Sequence, residues 1–242
     1  MPGPRFCAVI PTYNNAGTLL DVVVRMHRQL PDIIVGNDGS TDATAACLAS
    51  SPVPVTVVAL ARNRGKGYAL REGFRKARAC GFTHAVTIDA DGQHYPEDIP
   101  ALVAASRRNP AALIVGSRPF DHENMPRGNT FANRFSNFWF RLQTGIDLPD
   151  TQTGLRIYPL SGIRGERWLT ARYEAELELL VASAWAGVPL CPVTVRVSYP
   201  EDRVTHFRPV MDFVRISLLN TVLCLLAAVY GWPRTLFRKL LR

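Results

Sequence analysis

Two aspartates two positions apart, Asp89 and Asp91, follow an apolar run in the segment VTIDADGQHYPEDIP. Residues i and i+2 of an extended chain point to the same side, so both carboxylates can reach one ion. Carboxylates this close repel each other unless a positive charge lies between them. Oxygen ligands select a hard divalent cation such as Mg²⁺ or Mn²⁺, whose shell is usually completed by water and substrate phosphates. The pair therefore predicts a metal site that serves a diphosphate, with a polar turn after a strand as the alternative.

Other polar residues follow apolar runs in the same way. The segment RNRGKG brings Lys66 to the start of a predicted helix, where its ammonium and the backbone N–H groups could meet an anion. Asp38 could accept hydrogen bonds from a base or a ribose, and Arg118 is placed to meet a phosphate. Any one of these loops could be an ordinary turn, because Asn, Asp, Gly and Ser favour turns. Five such loops after five successive strands are harder to explain in that way.

Short apolar runs alternate with helical patterns through the first half of the chain. Strands are predicted at residues 6–10, 32–37, 55–60, 84–89 and 112–117. Helices are predicted at residues 17–30, 40–50, 67–81 and 96–109. We expect Ser40 or Thr41 to cap the second of these helices. The alternation is typical of a parallel, doubly wound α/β sheet, in which ligands bind beyond the carboxyl ends of the strands.

The second half of the chain is less regular. Its patterns predict two helices and two strands, at residues 128–145, 171–187, 153–159 and 189–200. We expect one domain over residues 1–210 and an apolar helix with a basic tail over residues 211–242. The apolar stretch 216–230 is shorter than the roughly 20 residues that a membrane span needs. An interfacial or re-entrant helix is therefore predicted, and packing against the domain or a second subunit, or spanning, stay open.

Composition limits the kinds of partner. The chain has 242 residues, is 47% hydrophobic and carries a formal net charge of +8, which favours an anionic partner. Nucleic acid is disfavoured, because the basic residues are spread along the chain without an aromatic–basic platform. The five cysteines are scattered, which is unlike a disulfide framework or a zinc site and fits a reducing, cytoplasmic setting. Whether the chain forms a homo-oligomer stays open.

The segments VIPTYNN, NDGSTD, NRGKGYALREGF, DADGQHYPEDI, GSR and DTQTGLRIYP occur in this order along the chain. Together they resemble the family 2 glycosyltransferases, and most of all their dolichyl-phosphate mannose or glucose synthase branch, over roughly residues 5–210. The resemblance implies a GT-A fold, which is a Rossmann-like, doubly wound, mostly parallel α/β sheet, here with a C-terminal membrane-associating helix. It also implies a UDP- or GDP-linked sugar donor, a divalent metal and inversion at the anomeric carbon. The QxxRW element of processive synthases is missing, so a single transfer is expected.

The resemblance implies roles for individual residues. Asp89 and Asp91 would hold Mg²⁺ or Mn²⁺, and Arg208 would take the place of a lysine of the branch. Asn15 replaces an acidic residue that is common at its position. With Lys66, the residues expected to bind the nucleotide sugar are Pro11, Tyr13, Asn15, Asp38, Asp89, Ala90, Gln93, Arg118, Arg203 and Arg208.

The acceptor decides whether a base is needed. A lipid phosphate is already anionic and needs none, and the residues expected to bind it are Arg127, Asn133 and Arg134. A hydroxyl acceptor on a glycan or another lipid needs a carboxylate to take its proton, and Asp150 is the first choice, ahead of Glu174 and Glu176. Asp150, Asp91 and Arg118 are thus the expected catalytic residues. We favour an enzyme on the cytoplasmic membrane face that uses a polyprenyl phosphate; a nucleotide-sugar-binding scaffold without turnover is the non-enzymatic alternative.

Overall fold

A computed structural model describes residues 3–119, 127–163, 170–172, 174–198 and 209–240, with the backbone alone at residues 127–131, 209–213 and 238–240. Its strands are β1 (Phe6–Thr12), β2 (Ile33–Asn37), β3 (Thr56–Ala59), β4 (His84–Thr87), β5 (Leu113–Ser117), β6 (Arg156–Pro159) and β7 (Leu190–Thr194). Its helices are α1 (Leu19–His27), α2 (Thr44–Ala49), α3 (Lys66–Ala79), α4 (Ile99–Arg108), α5 (Arg127–Thr144), α6 (Glu174–Ala186), α7 (Pro209–Leu226) and α8 (Trp232–Leu240). A 3₁₀ turn at Pro96–Asp98 precedes α4, and a π-helical segment at Ala227–Gly231 joins α7 to α8.

The strands form one seven-stranded sheet in the order β3-β2-β1-β4-β6-β5-β7. Each neighbouring pair is parallel except the two pairs that involve β6, which runs antiparallel to both β4 and β5. The mostly parallel α/β sheet predicted from the sequence is therefore confirmed. The reversed strand was not anticipated, because the direction in which a strand joins a sheet depends on how the chain returns to it.

Both faces of the sheet are covered, as the alternation of side chains along β1 shows. Cys7 and Val9 belong to the core that α3, α5, α6 and α7 cover. Phe6, Ala8 and Ile10 belong to the core on the other face, under α1 and α4. Successive side chains of a strand point to opposite faces, so a strand that is buried on both faces is continuously apolar.

The start of α2 differs from the prediction. The helix begins at Thr44, and its backbone N–H donates to Asp42 Oδ1 at 2.9 Å, so neither Ser40 nor Thr41 is its cap. The side chain of Asn14, a residue with φ of 53°, accepts the N–H of Thr41 at 2.8 Å. Residues 40–42 are thus held out of the helix by a loop that is distant in sequence.

The boundary predicted near residue 210 falls at the beginning of α7. This helix packs against α5 and α6, and the following segment also contacts α5. The apolar C-terminal segment therefore lies on the sheet-covering helices.

Candidate active site

The loops that follow the parallel strands meet at one rim of the sheet. Thr12 at the end of β1 pairs with Asn37 at the end of β2. Asp38 comes next, is buried, and accepts the backbone N–H groups of Arg64 and Gly65, each at 2.7 Å. Its carboxylate, which we expected to bind a base or ribose, thus fixes the loop that leads into α3.

Lys66 lies between two carboxylates. Its Nζ is 2.7 Å from Asp89 Oδ1 and 2.5 Å from Glu176 Oε2, and its side chain is 15% exposed. These three residues, the Lys66 cluster, join the starts of α3 and α6 to the loop after β4. The ammonium that we expected to meet a donor anion is therefore paired with protein carboxylates in this structure.

The Lys66 cluster sets the charge of the aspartate pair. Burial acts to raise the pKa of Asp89, but the charge and hydrogen bond of Lys66, together with the charges of His94 and Arg156, outweigh it and lower that pKa. Burial, and then the negative charge of Asp89, raise the pKa of Asp91 to about 6. Within the described part of the chain, Asp91 is thus the member of the pair without a positive neighbour at contact distance.

The residues around Asp91 fit a hard divalent cation. Asp91 Oδ1 accepts the N–H of Gln93 at 3.0 Å, and no partner for Oδ2 is found among the described residues. A cation against that oxygen would offset both the burial and the repulsion by Asp89. The described part of the chain contains no group of three or more His, Cys, Asp or Glu that could hold a metal. Further ligands would have to be water or substrate oxygens, which Mg²⁺ commonly keeps.

A second buried charge pair lies beyond β5. Arg118 donates from Nε to Asp150 Oδ2 at 2.6 Å and from Nη2 to Oδ1 at 3.0 Å. Asn133 of α5 donates to Asp150 Oδ1 at 3.0 Å, and the N–H of Gln152 donates to the same oxygen at 3.0 Å. Arg118, Asn133 and Asp150 form the Arg118 cluster, in which the Asp150 side chain is 0% exposed and that of Arg118 is 14% exposed.

This environment is unsuited to a general base. Burial acts to raise the pKa of Asp150, but the Arg118 guanidinium and the backbone N–H groups of Gln152 and Arg118 together outweigh it, so that pKa is lowered. Both oxygens of Asp150 accept hydrogen bonds. A low pKa and occupied oxygens disfavour proton uptake near neutral pH. The expectation for Asp150 is revised accordingly: its carboxylate fixes the direction of the Arg118 guanidinium.

One loop connects the two clusters. Asp150 begins the DTQTG segment, and Gly154 ends it directly against the carboxylate of Asp89, where any Cβ would collide with Asp89 Oδ2. Thr87 Oγ1 donates to the carbonyl of Gly154 at 2.8 Å and holds this approach in place. A glycine is needed here because of this close contact.

Two functional candidates were missed by the sequence analysis. His94 is buried, its Nδ1 has no partner among the described residues, and burial lowers its pKa to about 4. The charges of Asp89 and Asp150 both act on its imidazole, so it lies near both clusters. Arg156, fully buried in β6, donates to the carbonyls of Glu176 at 2.8 Å and Thr151 at 2.9 Å. An arginine within the apolar run GLRIYP was the available signal for Arg156.

The remaining predicted residues are placed as follows. Pro11 and Ala90 are buried at the rim, and Tyr13, Asn15, Gln93 and Glu174 are partly exposed. Arg134 is exposed on α5, one position after Asn133. The side chain of Arg127, and Arg203 and Arg208 entirely, lie outside the described residues.

Comparisons with known proteins show which family this chain is similar to. The model of the family described as glycosyl transferase family 2 matches residues 7–164. The chain is 29% identical over 237 residues to the UDP-N-acetylglucosamine–dolichyl-phosphate N-acetylglucosaminyltransferase of Methanococcus voltae, covering 88% of this chain and 94% of the relative. It is 32% identical over 168 residues to the undecaprenyl-phosphate mannosyltransferase of Micrococcus luteus, covering 66% of this chain and 68% of the relative.

Among solved structures, the fold is similar to glucosyl-3-phosphoglycerate synthase from Mycobacterium tuberculosis, crystallised with Mn²⁺, UDP and glucosyl-3-phosphoglycerate. The TM-score is 0.65 at 20% identity, covering 93% of this chain and 80% of that chain. At this identity the likeness concerns the fold, and it confirms the predicted GT-A architecture.

Proposed function

This chain belongs to glycosyltransferase family 2, and on that premise we propose that it transfers one sugar from a nucleotide-diphosphate sugar to a polyprenyl phosphate. The transfer is non-processive and inverts the anomeric carbon. The donor is UDP- or GDP-linked, and Asp91 and Asp89 would hold Mg²⁺ or Mn²⁺. The enzyme is attached peripherally to the cytoplasmic face of a membrane.

The burial of Asp150 and its pairing with Arg118 favour an acceptor that is already ionised. The carboxylate that would deprotonate a hydroxyl is buried and holds Arg118 instead, and Glu176 is engaged by Lys66. An acceptor that arrives already ionised needs no base. A phosphate monoester meets that condition, and both relatives compared above are named for polyprenyl-phosphate acceptors.

The residues of the rim have different roles in this proposal. The Lys66 cluster keeps Asp89 ionised beside Asp91, and a bound divalent cation would neutralise the charge that develops on the departing diphosphate. The Arg118 guanidinium, aimed by Asp150, offers a fixed positive charge to a phosphate. We assign Asn133 and Arg134 of α5 to binding of the acceptor phosphate. Arg203 and Arg208 are assigned to binding of the donor diphosphate.

Calorimetry with donors tests this proposal first. UDP- and GDP-sugars would be titrated into the wild type and into Asp91→Ala, with and without Mn²⁺. We expect metal-dependent binding of one donor, lost in the variant. Asp32→Ala, an exposed aspartate directly before β2, is the matched control and should bind like the wild type. Failure of a folded wild type to bind any donor with metal present would favour a protein without turnover.

A transfer assay then separates the acceptors. Polyprenyl phosphate and the matching polyprenol, which presents a hydroxyl, would be compared with the donor found by calorimetry. We expect product only from the phosphate. Product from the polyprenol, lost in Glu174→Gln, would show a hydroxyl acceptor with Glu174 as the base.

A further inference from the structure

The C-terminal helices show two opposite faces. Leu219, Leu223 and Ala227 are buried against the domain, spaced four residues apart. Leu218 is 63%, Leu225 66% and Val229 81% exposed, seven and four residues apart on the opposite side. Both spacings repeat along one side of a helix. The helix therefore has an apolar side that the domain covers and another that remains uncovered in the described structure.

Neighbouring helices extend the uncovered apolar side. α5 packs beside α7, and its Phe138 and Leu142 are exposed, as are Leu236 and Phe237 of α8. A patch of this kind on a soluble surface marks a site of interaction. We call it the apolar face, and its members are Phe138, Leu142, Leu218, Leu225, Val229, Leu236 and Phe237.

Buried polar contacts hold α7 to the domain along its length. Gln143 of α5 donates to Asn220 Oδ1 at 2.9 Å, and the indole of Trp185 donates to the carbonyl of Gln143 at 2.9 Å. Further on, Gly231 lies directly against the Trp185 ring, and Trp232 donates to the carbonyl of Leu142 at 3.2 Å. A span across a membrane would break these contacts and carry the Asn220 amide into hydrocarbon, which costs several kcal/mol per unpaired polar group.

The stretch Val214–Phe237 is long and apolar enough to cross a membrane, and 28% of its most apolar 18-residue window is buried. Length alone therefore does not decide between crossing and lying flat. The polar contacts do, because they tie the same helix to α5 and α6, which belong to the catalytic domain.

Charge identifies the occupant of the apolar face. α5 has three arginines and no acidic residue, and α8 has two arginines, one lysine and no acidic residue. Arg134 and Arg141 are exposed on α5, and Tyr230 and Trp232 are exposed between the two C-terminal helices. Apolar side chains with basic and aromatic neighbours suit the boundary between acyl chains and anionic headgroups.

We propose that the apolar face lies in the plane of an anionic lipid bilayer and that residues 214–237 rest on the membrane without crossing it. This deepens the proposed function, because it gives the acceptor a route to the site. Asn133, which contacts Asp150, precedes Phe138 by five residues of α5, or about 7.5 Å of helix. Arg134, which is exposed next to Asn133 and lies one helical turn before Phe138 on the same side of α5, is placed between the apolar face and the Arg118 cluster and could bind a phosphate at headgroup depth.

Vesicle sedimentation tests the surface without any substrate. The wild type should bind vesicles of phosphatidylcholine with phosphatidylglycerol, and bind vesicles of phosphatidylcholine alone more weakly. Leu225→Glu with Val229→Glu should weaken binding at least tenfold. Val57→Glu changes an exposed valine on edge strand β3 and should bind like the wild type. Unchanged binding by the double variant would overturn the proposal.

Two controls separate the loss of a lipid-binding surface from the loss of the donor site and from dimerisation. Donor binding by calorimetry should be the same in the double variant and the wild type. An error in the proposed function would therefore appear as missing donor binding, and an error in the proposed lipid-binding surface as unchanged vesicle binding. Sedimentation velocity without lipid should show the same species for both proteins. A wild-type dimer that the two glutamates dissociate would assign the face to a second copy and overturn the proposal.

Depth measurements distinguish lying from crossing. Nitroxides would be attached at Leu218→Cys and Val229→Cys in a chain whose accessible cysteines, Cys47, Cys80, Cys191 and Cys224, are alanine. A helix in the membrane plane should place both labels at nearly the same shallow depth. A crossing helix would separate them by about 16 Å, at 1.5 Å per residue, and that result would overturn the proposal.

Discussion

The Lys66 cluster and the Arg118 cluster bury opposite arrangements of charge at the same rim. In the first, one ammonium is shared by two carboxylates, so the group carries an excess of negative charge. In the second, one carboxylate is surrounded by an arginine, an amide and backbone N–H groups, and the guanidinium is the more exposed partner. One side of the rim is therefore prepared for a cation and the other for an anion.

The two clusters share one feature, since every carboxylate in them is paired with a cation. The pairing limits the movement and the protonation of the charged groups in the two clusters. A preorganised charge stabilises a developing charge without reorganisation at the moment of reaction. The cost is that removal of either supporting partner leaves a buried charge unpaired.

Removal of the shared ammonium should have the largest effect. Lys66→Met keeps the length of the side chain but leaves Asp89 and Glu176 facing each other. Breaking a buried pair costs about 3–5 kcal/mol, so we expect a loss of that order in the free energy of unfolding, measured by urea denaturation. Glu176→Gln in the same chain should restore part of the loss.

Lys76→Met is the control, since Lys76 is exposed in the last turn of the same helix. It should change stability by no more than about 0.5 kcal/mol. A Lys66→Met protein as stable as this control would contradict the assignment of a buried, shared charge.

Neutralisation of Asp150 should affect turnover next. Asp150→Asn keeps the shape but loosens Arg118, and a misplaced group costs about 10²-fold in rate. We expect kcat/KM to fall by about that factor, with a similar fall for Arg118→Ala. The double variant should be no worse than either single variant, because partners in one network are not additive.

Asp147→Asn supplies the matched control for that series. Asp147 is exposed and lies 3.8 Å from Arg141, so its loss should leave kcat/KM unchanged. Losses that multiply in the Asp150 and Arg118 double variant would indicate independent roles and would return Asp150 to the role of a base.

The two clusters also differ in how well the sequence revealed them. Asp89 and Asp91 follow an apolar run at the end of a strand, so their position at the rim was predictable from local pattern. The burial of Asp150 was not, because it results from α5 folding over a loop that looks polar and exposed in sequence. Pairing between Lys66 and Glu176 joins residues 110 positions apart and has no local signal.

In the fold, too, features with a local sequence pattern were predictable and features that depend on distant contacts were not. Strands β1 to β5 and the helices between them were found within a few residues, since apolar runs and turn residues mark them. The reversed direction of β6 and the start of α2 were not found, because both depend on contacts with distant segments. The sequence left three interpretations of the apolar stretch 216–230, and its buried contacts with Gln143 and Trp185 depend on residues distant in sequence.

Acid should remove the contribution of Asp150 to stability. Its folded pKa is lowered, so the unfolded carboxyl takes up a proton first as the pH falls. The difference in unfolding free energy between the wild type and Asp150→Asn should be constant above about pH 5. It should shrink below the unfolded value of about 3.9 and disappear once the folded carboxyl is protonated. Urea denaturation between pH 3 and pH 7 measures this, and a difference that grows on acidification would contradict it.

The smallest effect is expected at a charge pair that water reaches. Arg196 donates to Asp98 from Nε at 2.9 Å and from Nη2 at 2.6 Å, but its side chain is 61% exposed. Asp98→Asn should therefore cost no more than about 1 kcal/mol in the free energy of unfolding. The cost should fall further in about 1 M NaCl, where the Debye length is about 3 Å, while the losses from Lys66→Met and Asp150→Asn should persist.

The Asp98–Arg196 pair also helps to position a loop near the candidate active site. Next to it, Ser198 donates its N–H to the carbonyl of Gln93 at 2.9 Å, and His94 pairs with Val197. Asp98 and Arg196 thus help to hold the segment after β7 beside the loop that follows Asp91. We expect Asp98→Asn to raise the KM for the donor several-fold with little change in kcat, measured by initial rates at low and high salt. An unchanged KM would show that Asp98 and Arg196 have a structural role only. They would then differ from the Lys66 and Arg118 clusters, in which the paired residues orient charged groups at the rim.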